Sequence, residues 1–283
     1  MINPSIPTYL NVPAARLGEG SNVRVTVGGD MQDIAARMAA AMFDTLTTAS
    51  ERGKPATLIV PVGPVDQFPI LAQTINARGF DCRDVMLINM DEYLDGEQQW
   101  IDLAHPLSFR GYMNRKFYDL LDPKLAPRTE NRVFPDPRDP SAIQRLIDSR
   151  GGVDACFGGI GINGHVAFNE PPEPGEHIEA AAFAALPTRV LPLSRETATI
   201  NSVTVGGELS VIPRLAVTVG MKEILASRQL RFYCNRPWQS AVVRRVLHGP
   251  VTAACPASLL RTHVDAALTV ASYVAEPPEI RLR

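Results

Sequence analysis

The chain has 283 residues, of which 45% are hydrophobic and 20% charged, with 28 Lys and Arg against 30 Asp and Glu. A chain of this length buries a sizeable core without disulfides or a structural metal. The near balance of charge excludes a nucleic-acid binder driven by phosphate neutralisation, and equally a polybasic membrane anchor.

Residues 1–22, with three prolines and two glycines, read as an irregular N-terminal arm, and residues 23–283 as a single α/β domain. VRVTV (23–27) is a predicted strand, followed by a helix over 33–49 that Asp30 can cap. TLIVPV (57–62) is a continuous apolar run, the pattern of a strand buried on both faces. A helix over 68–79 with Gly79 as its stop and a third strand, VMLINM (85–90), come next. Beyond a polar stretch lie a helical region at 110–122, a helix at 141–152 and the strand VDACFGG (153–159). Further strands are predicted at 214–220, 229–235 and 264–274, with a helix at 238–249. Strands alternating with helices imply right-handed crossovers, hence a three-layer αβα sandwich around a mostly parallel, Rossmann-like doubly wound sheet.

Four cysteines, Cys82, Cys156, Cys234 and Cys255, show no CxxC spacing, which predicts buried thiols in a reducing compartment. No stretch reaches the ~18 apolar residues of a membrane helix, and the first twenty residues carry no secretion signature. The expectation is a soluble, cytoplasmic protein with neither nucleic acid nor membrane as partner.

In a doubly wound sheet the ligand sits outside the carboxyl ends of the strands, so loops that directly follow apolar runs carry most weight. The first is Pro61-Val62-Gly63-Pro64-Val65-Asp66-Gln67, either a phosphate cradle short of N–H groups or an ordinary strand-to-helix turn. The second, Asn89-Met90-Asp91-Glu92-Tyr93, sets two carboxylates at a strand end. Adjacent side chains diverge in extended backbone, so one can face a crevice as a general base while the other braces the loop. The third, Gly158 to Pro171, has four glycines in seven residues, then His165 and, five residues on, Glu170. A carboxylate that orients a histidine makes a proton shuttle. Asp91, Glu92, His105, His165 and Glu170 also offer metal-ligand chemistry, without the spacing of a zinc motif.

At these residues the sequence resembles the glucosamine-6-phosphate deaminase (isomerase) family, which shares its fold with the 6-phosphogluconolactonases. NMDEY (89–93), HPLSF (105–109), GGIGINGHVAFNEP (158–171), SRET (194–197) and PRLAVTVG (213–220) carry the likeness, in order, from about Val23 to about Ala275. The resemblance implies an aldose–ketose isomerase/deaminase acting on an amino sugar without redox cofactor or catalytic metal. In that reading Asp91 is the base between C2 and C1, Glu92 its support, His165 the ring-opening histidine, Glu170 its paired carboxylate and Arg195 a phosphate ligand. Gly63, Asp66, Gly159, Gly161, Gly164 and Arg236 complete the expected substrate-binding set. Three positions depart from the family pattern. Asn163 stands where the family has an aspartate, Val62-Gly63-Pro64-Val65 replaces a Thr-Gly-Gly-Thr run, and Gln239 replaces a phosphate-binding lysine. The phosphate site therefore reads as dismantled, and an unphosphorylated sugar becomes a candidate substrate. A sugar lactonase and a non-catalytic sugar-binding protein are the alternatives, and assembly into a homo-oligomer is an open expectation.

Overall fold

Three continuous apolar runs become the centre of the sheet because both of their faces are covered. β1 (Arg24–Val27) leads into α1 (Met31–Glu51), whose first N–H groups are capped by Asp30, its carboxylate accepting from Gln32 N and Asp33 N at 3.0 Å. In α1, Ile34, Met38, Met42 and Leu46 recur at helical spacing and are buried. β2 (Thr57–Val60) and α2 (Gln67–Arg78) follow, then β3 (Met86–Asn89), all four residues of each strand being buried. The computed structural model describes residues 5–64 and 66–281; residues 1–4 of the arm, Val65 of the first loop and residues 282–283 lie outside the described residues.

The chain continues through β4 (Asp91–Leu94), α3 (Phe109–Lys116), β5 (Arg132–Val133), α4 (Ala142–Ser149) and β6 (Ala155–Gly158). Then come α5 (Ala180–Ala184), β7 (Arg189–Pro192), α6 (Arg195–Ser202), β8 (Leu215–Thr218) and α7 (Met221–Leu225). β9 (Leu230–Cys234), α8 (Gln239–His248), β10 (Ala266–Val270) and α9 (Ser272–Ala275) complete the order. Seven strands pair in parallel in the order β1-β10-β9-β6-β2-β3-β5. This is the predicted mostly parallel α/β sheet.

Two features differ from the sequence-based expectation. The segment 214–220 joins a second, three-stranded antiparallel sheet, β4-β8-β7, in which Asp91 stands opposite Thr218 and Arg189 opposite Thr218 on the other side. The expected loop at Asp91-Glu92 is thus a strand, held extended by pairing across the chain. The single strand expected over 264–274 is split by Ala271 into β10 and α9.

The described part of the arm forms two short 3-10 turns, Thr8–Asn11 and Ala14–Arg16, the first lying against α8. Fully buried Arg244 on α8 fixes it: the guanidinium donates to Val12 O (2.8 Å), Ser240 O (3.1 Å), Glu276 O (2.9 Å) and Ala275 O (2.5 Å). Spending its donors on carbonyls is what makes a buried arginine tolerable. The four cysteines are buried free thiols, and among the described residues no helix is long and apolar enough to cross a membrane.

Candidate active site

The carboxyl ends of β9, β6, β2 and β3, neighbours in the sheet, release four loops that enclose a cleft of about 230 Å³. Gly63, Asp91, Gly159, Gly161, His165 and Arg236 line it, as do Phe109, Phe168, Asn201, Asn235, Trp238 and Gln239. The first six are sequence-predicted. Phe109 and Phe168 belong to the segments HPLSF and GGIGINGHVAFNEP, and Gln239 to the departures named above, whereas no local pattern announces Asn201, Asn235 or Trp238.

Asp91 and Glu92 diverge as extended neighbours must. Asp91 faces the cleft, and burial, followed by the nearby Glu92 charge, pushes its carboxyl up to about 8. Glu92 turns inward and is fully buried. It accepts from Tyr93 N (2.9 Å), Ser108 Oγ (3.0 Å), Phe109 N (3.0 Å), Arg110 N (2.9 Å) and Arg110 Nε (3.2 Å). Its carboxylate therefore sits on the amino end of α3, where the helix dipole favours an anion, and fixes the strand that presents Asp91.

His165 is held by backbone that only glycine permits. A Cβ on Gly161 would lie 2.1 Å from the His165 ring, and one on Gly164, at φ +93°, would lie 2.6 Å from Cys255 Sγ. His165 Nδ1 lies 2.9 Å from Asn163 Oδ1, 3.1 Å from Thr197 Oγ1 and 3.4 Å from Glu170 Oε2. Asn163 Oδ1 also accepts from His165 N (3.1 Å), while its Nδ2 donates to Glu170 Oε2 (2.8 Å) and Ser194 Oγ (3.1 Å). These contacts assign the amide: the oxygen faces the ring and the nitrogen faces the carboxylate. The ring then carries its proton on Nδ1 and leaves Nε2 as an acceptor, with no hydrogen bond from the described residues. Ser194 N also donates to Glu170 Oε1 at 3.3 Å. Burial works to raise the Glu170 carboxyl, yet its contacts with His165, Asn163 and Thr197 hold it down at about 2.

Three predicted ligands, Gly164, Arg195 and Asp66, do not line the cleft, Gly164 being buried against Cys255. Arg195 opens α6 on its exposed side and borders a separate recess with Ile162, Glu196 and Val203. Thr197, two residues on and about 200° round the helix, is the side chain α6 turns toward His165. Asp66 precedes α2 in the left-handed region (φ 80°) without a side-chain capping bond, its side chain exposed and outside the lining, and no ion pair joins it to Arg195. Gly63 borders the cleft with open space where a Cβ would stand. Arg236 lines the rim, its Nη1 lying 3.6 Å from Met31 Sδ. Gln239 is spent within the protein, donating to Ile160 O and accepting from Arg236 N, each at 2.8 Å. Among the described residues no three His, Cys, Asp or Glu side chains gather as a metal-ligand set.

No family model matches the chain. A curated glucosamine-6-phosphate deaminase from Cellvibrio japonicus is 33% identical over 193 residues, 66% of each chain. One from Shewanella loihica is 30% identical over 212 residues, 73% of this chain and 72% of the relative. A solved structure of a monomeric glucosamine-6-phosphate deaminase, described as a missing link of the NagB superfamily, superposes with a TM-score of 0.75 at 24% identity. It covers 89% of this chain and 99% of that one.

Proposed function

The chain belongs to the glucosamine-6-phosphate deaminase family, and from this we propose that its cleft opens the ring of an amino sugar and isomerises it with loss of ammonium. The single observation that carries the reading is a buried carboxylate, Asp91, pushed up to about 8 in the cleft it shares with the uncommitted Nε2 of His165.

His165 Nε2 takes the proton of the anomeric hydroxyl and returns one to the ring oxygen, so that the ring C–O bond breaks and an aldehyde forms. Asn163 and Glu170 hold the ring in the tautomer this step needs. Asp91 then removes the proton on C2, giving an enolamine, and redelivers it to C1. The resulting ketimine takes up one water and releases ammonium, leaving a ketose. A base near 8 abstracts a carbon-bound proton better than an ordinary carboxylate. The substrate's own ammonium, close to Asp91, favours the ionised carboxylate in the complex. Phe109 and Phe168 stack at 6.0 Å beside these groups and narrow water's access.

The test is ammonium release from glucosamine and from glucosamine 6-phosphate. Asp91→Asn is expected to lower it by roughly 10²–10⁴-fold and to abolish deuterium incorporation at C1 in heavy water. A variant that keeps either activity overturns the assignment of the base and favours lactone hydrolysis through His165.

A further inference from the structure

The turn that carries the chain from His165 to Glu170 holds an alanine in a conformation that alanine avoids. Ala167, on the wall of the cleft, has φ 53°, in the left-handed region. Glycine adopts that region freely, whereas a Cβ opposes it, and alanine has no polar side chain to offset the cost. Such backbone persists only where the surroundings impose it, and it concentrates at functional sites.

Asn169, the fully buried residue just before Glu170, imposes it here. Its Nδ2 donates to Val166 O at 3.0 Å and to Val219 O at 2.8 Å, while its backbone N donates to Val166 O at 2.9 Å. One residue thus closes the turn 166–169 and ties it to the end of β8. The polarity of the amide is fixed from outside. Asn169 Oδ1 accepts from Arg189 Nη1 at 2.7 Å, and a guanidinium only donates, so Nδ2 must face the carbonyls. Burial opposes the Arg189 charge and Glu223 favours it. Glu223 is itself buried, and its Oε2 has no hydrogen bond among the described residues. Phe168 N donates to Thr218 Oγ1 at 3.0 Å and pins the remaining corner of the turn.

The consequence reaches the imidazole. Glu170 Oε2 accepts from Asn163 Nδ2 at 2.8 Å, which turns Asn163 Oδ1 toward His165 Nδ1 at 2.9 Å. A relaxed turn withdraws Glu170, the Asn163 amide loses the contact that orients it, and either ring nitrogen can then carry the proton. We infer that Asn169 is a positioning residue: by holding Ala167 left-handed it sets Glu170 and, through Asn163, the tautomer of His165. The inference rests on the ring-opening role given to His165 above and deepens it.

The experiment compares the full chain with Asn169→Ala and with the double variant Asn169→Ala, Ala167→Gly. Ammonium release is followed on whichever of glucosamine and its 6-phosphate the unaltered chain turns over faster. Asn169→Ala is expected to lower kcat by roughly 10- to 100-fold with KM held within about 3-fold. Glycine at 167 needs no clamp to stay left-handed and should restore kcat by about 5-fold. Nitrogen-15 spectra of the imidazoles at about pH 9 read the tautomer directly, with His165→Gln identifying the signal among five histidines. Nδ1–H is expected in the unaltered chain, a mixture in Asn169→Ala, and mostly Nδ1–H again in the double variant. Where Asn169→Ala does not fold, Asn169→Asp keeps the shape and the Arg189 partner, loses both donors, and is read in the same way. A folded Asn169 variant with the kcat and ring signal of the unaltered chain overturns the inference. So does a fall in kcat that glycine leaves untouched while the ring keeps Nδ1–H. If the unaltered chain releases no ammonium from either sugar, the reaction reading fails and the ring signals alone decide the inference.

Discussion

Asn163→Asp is the sharpest perturbation of the His165 network. In the native arrangement the amide nitrogen donates to Glu170 Oε2 at 2.8 Å and the amide oxygen faces His165 Nδ1 at 2.9 Å. An aspartate of the same shape places a second anionic oxygen against Glu170 and removes two donors. Even after relaxation to about 4 Å, two like charges at an effective dielectric near 20 repel by ~4 kcal/mol. Charging His165 recovers part of this, so a net loss of roughly 1–3 kcal/mol at pH 7 is expected, read as a fall of several degrees in Tm. The sign with pH follows from the repulsion, which raises a carboxyl pKa in the folded state. The penalty is therefore absent below the unfolded carboxyl value near 4 and grows as pH rises through 5 to 7. Thermal melts of both proteins between pH 4 and pH 9, with ammonium release over the same range, give the readout. A variant as stable as the native chain at pH 7, with an unchanged pH profile, refutes the role of Asn163 as a neutral bridge.

Asp91→Asn should raise stability while it removes activity. The folded carboxyl sits near 8 against about 4 unfolded, so the native chain loses stability as pH climbs from 4 to 8. The variant should not, and by pH 9 it should melt higher by the equivalent of several kcal/mol. Glu92→Gln swaps one accepting oxygen for a donor facing donors and should cost about 3–5 kcal/mol. Urea denaturation measures that loss, and hydrogen exchange should place the loosening at Phe109–Gly111. Gly161→Ala sets a methyl group into the His165 ring position. It should cut kcat/KM by roughly 100-fold while Tm falls far less than in Glu92→Gln, since the displaced ring borders a cleft with room to move.

The parallel sheet was legible because strands buried on both faces announce themselves as unbroken apolar runs, as at Leu58–Val60 and Met86–Ile88. The antiparallel sheet was not. Asp91-Glu92-Tyr93-Leu94 reads as a polar loop, and it is extended only because β8, more than a hundred residues on, pairs with it. Asp91 and His165 could be found because both follow a strand's carboxyl end and match a family's segments. Thr197 and Asn235 could not: the first depends on which side of α6 faces inward, the second on an amide nitrogen that has no hydrogen-bond partner among the described residues. The same spacing argument explains Arg195, whose motif is intact while its side chain lies on the outer side of the helix.

The pairing of β1 with β10 alone has a consequence for how the molecule is made. Arg24 finds its sheet partner at Ala267, about 240 residues later, and the arm's clamp, Arg244, lies nearly as far away. During synthesis the first strand and the arm before it must wait, without native neighbours, while β2, β3 and β6 are already able to associate. Ribosome-bound intermediates should therefore hold an assembled centre and an unattached leading segment. That segment is where a chaperone would find its longest-lived opportunity.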